Sequence, residues 1–356
     1  MKKLLIINKS QFGYETDTYK YCQYLRNDYQ ITYYCFDSGH QKIELTGVNI
    51  IYIASHGNYL TKAVRFFRSL YPLMARTNFS AVFIVNFDFC FIPTFFSRKT
   101  KYILDIRTGS VTPSKRKRFF KNFKTKINTL FFKNITIISE GLARKYKIQN
   151  FKVLPLGSDY MVMEPKSYSK LKLLYVGTFV NRNIYQTIEG LRLFIDEQGV
   201  DQSEIIYDIV GFGSPDDVNS IENTIKKAKL ERVVRFHGRK NINELPQFLN
   251  YSNIGVCYVP VKAYYNFQPP TKTFEYIHSG LVCIATNTFE NAKLINNDNG
   301  VLCESNSASF AKALGLVYQT RSQYNSTTIH NSLKSFTWFN ISNNILSPYL
   351  NKVIND

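Results

Sequence analysis

Gln268-Pro269-Pro270-Thr271-Lys272-Thr273-Phe274-Glu275-Tyr276-Ile277-His278-Ser279-Gly280 runs straight into the apolar stretch Leu281-Val282-Cys283-Ile284-Ala285. Prolines at the start and Gly280 at the end delimit a helix of about two to three turns. The apolar run behind it predicts a buried strand over Val282 to Ala285. Backbone N–H groups in the first helical turn, with Lys272 beside them, form a compact anion site. Glu275, three residues after Lys272, lies on the same face. A cation and a helix N-terminus suit a diphosphate, and a carboxylate one turn deeper suits ribose hydroxyls. The same residues read equally as a surface helix with an i,i+3 Lys–Glu pair.

The alternation of short β-rich runs with helical-period stretches extends in both directions from this segment, the pattern of parallel sheets covered by helices. Towards the N-terminus strands are expected at Leu4–Asn8, Ile31–Phe36, Ile50–Ile53, Ala81–Asn86, Tyr102–Ile106, Ile135–Ser139 and 152–154. In the second half they are expected at Leu171–Val176, Ile205–Val210, Val233–Phe236 and Ile254–Tyr258, with helices over 183–198, 217–229, 243–250 and 271–279. Two doubly wound α/β domains follow. The polar stretch Glu164-Pro165-Lys166-Ser167-Tyr168-Ser169 is the expected seam. It gives a first domain over 1–165, a second over 166–335, and a C-terminal helical segment over 336–356 packing back on the first.

With 356 residues, 44% hydrophobic and 15% aromatic, the chain has material for two cores, which excludes a disordered or low-complexity protein. Residues 1–165 carry 26 Lys and Arg against 10 Asp and Glu, and residues 166–356 carry 19 against 16, so nearly all of the +19 net charge belongs to the first domain. Six scattered cysteines without C-x-x-C spacing signal neither a zinc site nor a disulfide framework, and fit a reducing, cytoplasmic setting. The N-terminal run ends at Asn8-Lys9, too short for a signal peptide, and the most apolar window, Ser80 to Pro93, contains Asn86 and Asp88 and fails as a spanning helix.

The second domain opens with Leu173-Leu174-Tyr175-Val176-Gly177-Thr178-Phe179-Val180-Asn181-Arg182-Asn183, a strand entering a glycine turn and then a helix. Ligands in such sheets bind beyond the carboxyl ends of strands, where Gly177 admits a ligand to the backbone and Arg182 meets an anionic group. An ordinary turn with a solvated Arg is an equal reading. Ile209-Val210-Gly211-Phe212-Gly213-Ser214-Pro215-Asp216-Asp217 offers G-x-G, but Asp216 stands where a dinucleotide fingerprint needs its third glycine. The two Asp in a well-capped first turn complement the helix dipole and repel phosphate, which disfavours a Rossmann dehydrogenase.

From Leu171 to about Leu302 the chain resembles the donor-binding half of a retaining, metal-independent glycosyltransferase of family 4, with the GT-B fold of two facing Rossmann-like domains and a cleft between them. The matching pieces come in family order: the V-G-T turn with Arg182, I-V-G-F-G, Val234-Arg235-Phe236-His237-Gly238-Arg239, P-x-K-x-x-E-Y and G-L-V-C-I-A. In the first half, Val153-Leu154-Pro155-Leu156-Gly157-Ser158-Asp159 resembles the family's P-x-G-x-D element, and Ser139-Glu140 its S-E turn. The resemblance implies that Glu275 holds ribose, that Arg182, Lys272 and the Thr271 turn take the donor diphosphate together with Gly177, and that Gly238 and Arg239 contact the base. It also places Gly13, in the loop after the first strand, facing the diphosphate. One departure is Phe267, eight residues before Glu275, where the family often has a second glutamate near the donor sugar; Asn266 and Gln268 are neutral hydrogen-bonders beside it.

On the acceptor side the same resemblance nominates Arg107, with Asp105 before it on the strand end and His56 after another strand, as catalytic candidates; a structural Asp105–Arg107 pair is the competing reading. Ser114-Lys115-Arg116-Lys117-Arg118-Phe119-Phe120-Lys121-Asn122-Phe123-Lys124-Thr125-Lys126 gives, at helical spacing, an aromatic face and a cationic face, the signature of a helix lying on an anionic membrane. Its competing reading puts the phenylalanines in the core. Lys62-Ala63-Val64-Arg65-Phe66-Phe67-Arg68 is a second basic-apolar stretch. The expected function is sugar transfer from a nucleotide-diphosphate sugar to a lipid-linked or saccharide acceptor, at the inner face of a membrane, with no metal, no other cofactor and no nucleic acid. A nucleotide-sugar epimerase or hydrolase of the same fold, and a basic nucleic-acid binder, are the alternatives.

Overall fold

Two all-parallel sheets carry the chain in a computed structural model that describes residues 1–159 and 164–356. They belong to two units, Met1–Leu156 with Trp338–Asp356, and Gly157–Thr337. The first unit runs β1 (Lys2–Ile7), α1 (Thr16–Leu25), β2 (Tyr29–Asp37), β3 (Val48–Ala54), α2 (Tyr59–Arg76), β4 (Ala81–Val85), β5 (Lys101–Ile106), α3 (Lys115–Thr129), β6 (Asn134–Ile137), α4 (Glu140–Tyr146) and β7 (Lys152–Val153). Its strand order is β3-β2-β1-β4-β5-β6-β7, so the order reverses between β1 and β4. Leu4 to Ile7 and Ala81 to Val85 are buried throughout, the continuous apolar reading of strands covered on both faces.

The second unit runs β8 (Leu171–Thr178), α5 (Tyr185–Gln198), β9 (Ile205–Phe212), α6 (Pro215–Lys227), β10 (Val234–Gly238), α7 (Leu245–Tyr251), β11 (Ile254–Cys257), α8 (Thr271–His278), β12 (Val282–Thr286), β13 (Gly300–Cys303), α9 (Ser307–Thr320) and α10 (Ser326–Asn331). Its order is β10-β9-β8-β11-β12-β13, reversing between β8 and β11. The chain then returns to the first unit through α11 (Trp338–Asn340), a π-helical turn over Ile341–Leu346 and α12 (Ser347–Asn355). Trp338 is buried there with its ring 6.0 Å from that of Tyr21.

All twelve strands expected in the sequence lie within two residues of observed ones at each end. The edge strand β13 had no counterpart among the expectations. It has four residues and begins on a glycine after the polar Asn296-Asn297-Asp298-Asn299, so it reads as loop. Gly300 is needed because a Cβ there would sit 2.1 Å from the Cys283 carbonyl oxygen across the β12–β13 pair.

Candidate functional site

In the second unit the chemistry gathers at the carboxyl ends of β8 and β11, the reversal point where parallel sheets open a crevice. The two strands pair only through Leu173 and Leu174, and the Val176 N–H beyond them donates instead to the Tyr276 hydroxyl at 2.8 Å. The Tyr276 ring lies against Gly255, where any Cβ would come within 2.3 Å of it. A residue of α8 is thereby locked over β11 and tied to the strand end just before Gly177, which fixes the first turn of α8 at the crevice. Thr273 reinforces the anchorage, its Oγ1 lying 2.8 Å from Asn291 Oδ1.

Lys272 and Glu275 project from this anchored helix, partly exposed and ion-paired to each other. The turn after β8 supplies the second cation. Asn181 and Asn183, with φ of 57° and 54°, flank Arg182 in the left-handed region, which asparagine tolerates better than most residues. The Arg182 guanidinium lies 4.4 Å from the centre of the Tyr265 ring, and its Nη1 is buried with no hydrogen-bond partner among the described residues. Burial pushes the Cys257 thiol, at the end of β11, up to about 11, while Thr273 and the positive charges of both Arg182 and Lys272 pull it back. Two cations therefore bracket one strand end, beside a helix N-terminus whose first N–H groups have no intrahelical acceptor. Such an arrangement suits an anion, since a buried donor left unfilled is costly until an acceptor meets it.

Residues 170–320 match the family model described as Glycosyl transferases group 1. The match falls within the second unit. Among solved structures the whole chain is similar to the sucrose-phosphate synthase of Thermosynechococcus elongatus, at 14% identity over all of both chains with a TM-score of 0.76. A glycosyltransferase from Rickettsia africae is similar at 14% identity over 100% of this chain and 99% of the other, TM-score 0.75. Anabaena Alr3699/HepE in complex with UDP and glucose is similar at 14% identity over 98% and 99%, TM-score 0.70. At these identities the likeness establishes the fold, which is GT-B. No curated protein sequence matches the chain significantly.

The other residues nominated for the donor site stand at the carboxyl ends of β8 and β10 and at the start of α8. Gly177 pairs with Gly211 across β8 and β9, and a Cβ on Gly211 would come within 1.9 Å of the Gly177 carbonyl oxygen. Gly238 has φ of +64° and nothing near its missing Cβ, so its backbone is open to a planar group. Arg239 beside it is exposed, with its guanidinium 4.9 Å from the centre of the half-exposed Phe212 ring. Thr271 is exposed at the first position of α8. Phe267, in place of a glutamate, packs its ring 5.3 Å from Phe289, and Asn266 Oδ1 accepts from the Phe289 N–H at 2.7 Å. Sequence reasoning missed Tyr265 and the anchoring role of Tyr276. Tyr265 stands on a loop 83 residues from Arg182, and no local pattern joins them.

The acceptor-side candidates of the first unit are differently placed. Asp105 is fully buried, its Oδ1 accepting from Thr136 at 2.7 Å, and burial pushes its carboxyl up to about 7 against the pull of Arg107 and Thr136. Arg107, nearly buried, donates Nε to Asp17 at 2.5 Å, Nη1 to the Leu154 carbonyl at 2.6 Å and Nη2 to that of Pro155 at 3.3 Å. Those contacts tie the end of β5 to α1 and to the chain leaving β7. These contacts accord with the competing reading of Asp105 and Arg107 as a structural pair. Gly13 is explained by its φ of +88° and by Ile43, whose Cδ1 lies 2.4 Å from where a Cβ would be. Its loop closes on the Glu15 carboxylate, which accepts from Asn8 and Ser10, so it is no open phosphate cradle. His56 is exposed beyond β3, and its carbonyl accepts from Arg65.

α3 forms as the periodicity predicts, but its apolar side is not in the core. Phe119, Phe120 and Phe123 are 66%, 63% and 51% exposed. Thr125 and Asn128 are the buried residues of the helix. Lys115, Arg116, Lys117 and Lys121 are exposed, whereas Arg118 donates to the Thr112 and Pro113 carbonyls and Lys124 pairs with Asp88 at 2.8 Å. The first turn of α3 holds cations and no acid, the unfavourable sign for a helix dipole. Among the described residues no helix is long and apolar enough to cross a membrane, and no group of three His, Cys, Asp or Glu is placed to hold a metal ion.

Proposed function

We propose that the protein transfers a sugar from a nucleoside-diphosphate sugar to an acceptor held by the first unit, with retention at the transferred carbon and without a metal ion. The buried, hydrogen-bond-free Nη1 of Arg182 beside Lys272 and the α8 N-terminus carries this reading. Two fixed cations and a helix N-terminus neutralise the leaving diphosphate, the charge stabilisation that other transferases obtain from a divalent ion. Glu275 holds the ribose hydroxyls, and backbone at Gly238 with Arg239 on Phe212 receives the base. Retention follows the resemblance of the donor motifs to family 4. Uridine is the first base to try, since Alr3699/HepE is a structural neighbour complexed with UDP.

The acceptor is lipid-linked and is met at the inner, anionic face of a membrane, for a surface polysaccharide or glycolipid. Exposed phenylalanines and unpaired cations on α3 support this, because solvent exposure of three aromatic rings beside cations is costly unless an interface covers them.

Calorimetry with UDP, a panel of UDP-sugars and a single-stranded oligonucleotide tests the reading. Nucleotide binding in EDTA, and turnover of one UDP-sugar in EDTA once an acceptor is supplied, are the expected results. Turnover without acceptor would point to the epimerase or hydrolase, tight oligonucleotide binding with no UDP binding would replace the enzyme reading, and loss of turnover restored by magnesium would refute the metal-free mechanism.

A further inference from the structure

The first unit has its own strand-order reversal, between β1 and β4, and the crevice there is apolar. A pocket of about 270 Å³ opens at the carboxyl ends of β1, β2 and β4, walled by Phe36, Tyr59, Phe66, Phe67 and Phe87 with Ala63 at its side. The rings pack on one another, Phe66 lying 4.6 Å from Phe36 and 5.8 Å from Phe87, so the wall is fixed before any ligand arrives.

Charge at the pocket is asymmetric. Lys9, just after β1, and Lys62, on α2, line it and have no hydrogen-bond or ion-pair partner among the described residues. The one acid, Asp88, is already engaged: its Oδ2 accepts from Lys124 at 2.8 Å and from the Tyr59 hydroxyl at 3.1 Å. That shared oxygen also joins α2 to α3 beside the pocket. Both helices turn apolar side chains outward, Leu60 and Val64 on α2 being 69% and 63% exposed, as are the phenylalanines of α3. A greasy pocket with two unpaired cations thus opens beside α2, joined to α3 through Asp88, and both helices carry exposed apolar side chains.

We propose that this pocket seats a lipid phosphate, its apolar chain against the five aromatic rings and its phosphate on Lys9 and Lys62. The exposed faces of α2 and α3 bring the pocket to the membrane from which such a molecule comes, and the reversal point is where a parallel sheet places a ligand. That the occupant is the acceptor rests on the glycosyl transfer proposed above; the binding itself does not.

The test uses the full chain with farnesyl phosphate, farnesol and inorganic phosphate as probes, below the micellar concentration, with UDP as a separate ligand. Farnesyl phosphate is expected to bind the wild type at least tenfold more tightly than either fragment. Ala63→Trp, which fills the pocket, should lose that binding, and Lys9→Gln with Lys62→Gln should weaken farnesyl phosphate about tenfold while leaving farnesol unchanged. UDP affinity should stay the same in all variants, which reports folding independently. Equal binding of farnesyl phosphate by wild type and by the lysine double variant overturns the proposal, as does farnesol binding as tightly as its phosphate. A wild-type dimer that Ala63→Trp converts to monomer would assign the pocket to a second copy of the chain. If UDP fails to bind while farnesyl phosphate binds, the donor reading falls and the pocket assignment stands.

Discussion

Arg182 and Tyr265 form a stacked pair, guanidinium carbon to ring centre 4.4 Å, in which the aromatic face supports a cation whose Nη1 has no hydrogen-bond partner among the described residues. Tyr265 is nearly buried, so the stack is drier than a surface one. Tyr265→Leu should weaken nucleoside-diphosphate binding by about 0.5–2 kcal/mol, the range of such contacts, while Tyr265→Phe keeps the ring and the affinity. Arg182→Ala should cost about 1–3 kcal/mol. Calorimetry with UDP and uridine separates the causes: the loss should appear with UDP only. Equal loss with uridine would show that Tyr265 shapes the base site instead.

Glu275 is ion-paired to Lys272, so its removal changes both the proposed ribose contact and the neighbouring charge. Glu275→Ala is expected to weaken UDP binding by about 1–3 kcal/mol, the scale of charged hydrogen bonds. A 2′,3′-dideoxy diphosphate should bind wild type and variant alike, because it has no hydroxyls for the carboxylate to accept from. An undiminished affinity of Glu275→Ala for UDP removes the ribose assignment.

Lys115, Arg116, Lys117 and Lys121 are four exposed cations of α3 whose side chains have no partner among the described residues. Each contributes about 1 kcal/mol near an anionic surface, less as salt rises. Changing these four to Gln should abolish flotation with anionic liposomes at low salt and leave UDP binding intact. Phe119→Ser with Phe123→Ser should reduce flotation at high salt too, since apolar insertion is not screened. Wild-type protein that floats equally with neutral liposomes would mean that charge has no part in docking.

Asp105 titrates in the folded protein at about 7, above its ordinary 3.8, chiefly because it is buried. The folded state then holds a proton that the unfolded chain releases, so this group's contribution to stability is complete at pH below about 4 and is lost as pH rises through 7. Asp105→Asn keeps the shape and removes the titration. Relative to wild type, the variant should gain stability between pH 4.5 and pH 7.5, by an amount on the order of a few kcal/mol. Denaturant melts at the two pH values measure it; a wild-type-minus-variant difference independent of pH would show that Asp105 stays ionised beside Arg107.

The alternation of apolar runs with helical stretches was enough for two parallel α/β layers, because strands buried on both faces must be continuously apolar and their crossovers amphipathic. The 268–285 segment disclosed α8 and β12 for the same local reason, proline and glycine punctuation around one period. Lys272 and Glu275 were legible as a pair because i,i+3 spacing is a property of the helix itself. The exposure of Phe119, Phe120 and Phe123 was not legible: helical periodicity shows that α3 has an apolar face, but only the hydrogen bonds of Thr125 and Asn128 to Asn86 and Phe87, just beyond β4, decide that this face points outward. Arg107 is legible as the end of a strand, but its partners Asp17, Leu154 and Pro155 are distant in sequence and only the tertiary structure brings them around its guanidinium. Local signals fix which element a residue stands on and which neighbours within a turn it meets. The partners of Arg182 and Arg107 come from segments tens of residues away, and their positions are set by the closing of each sheet.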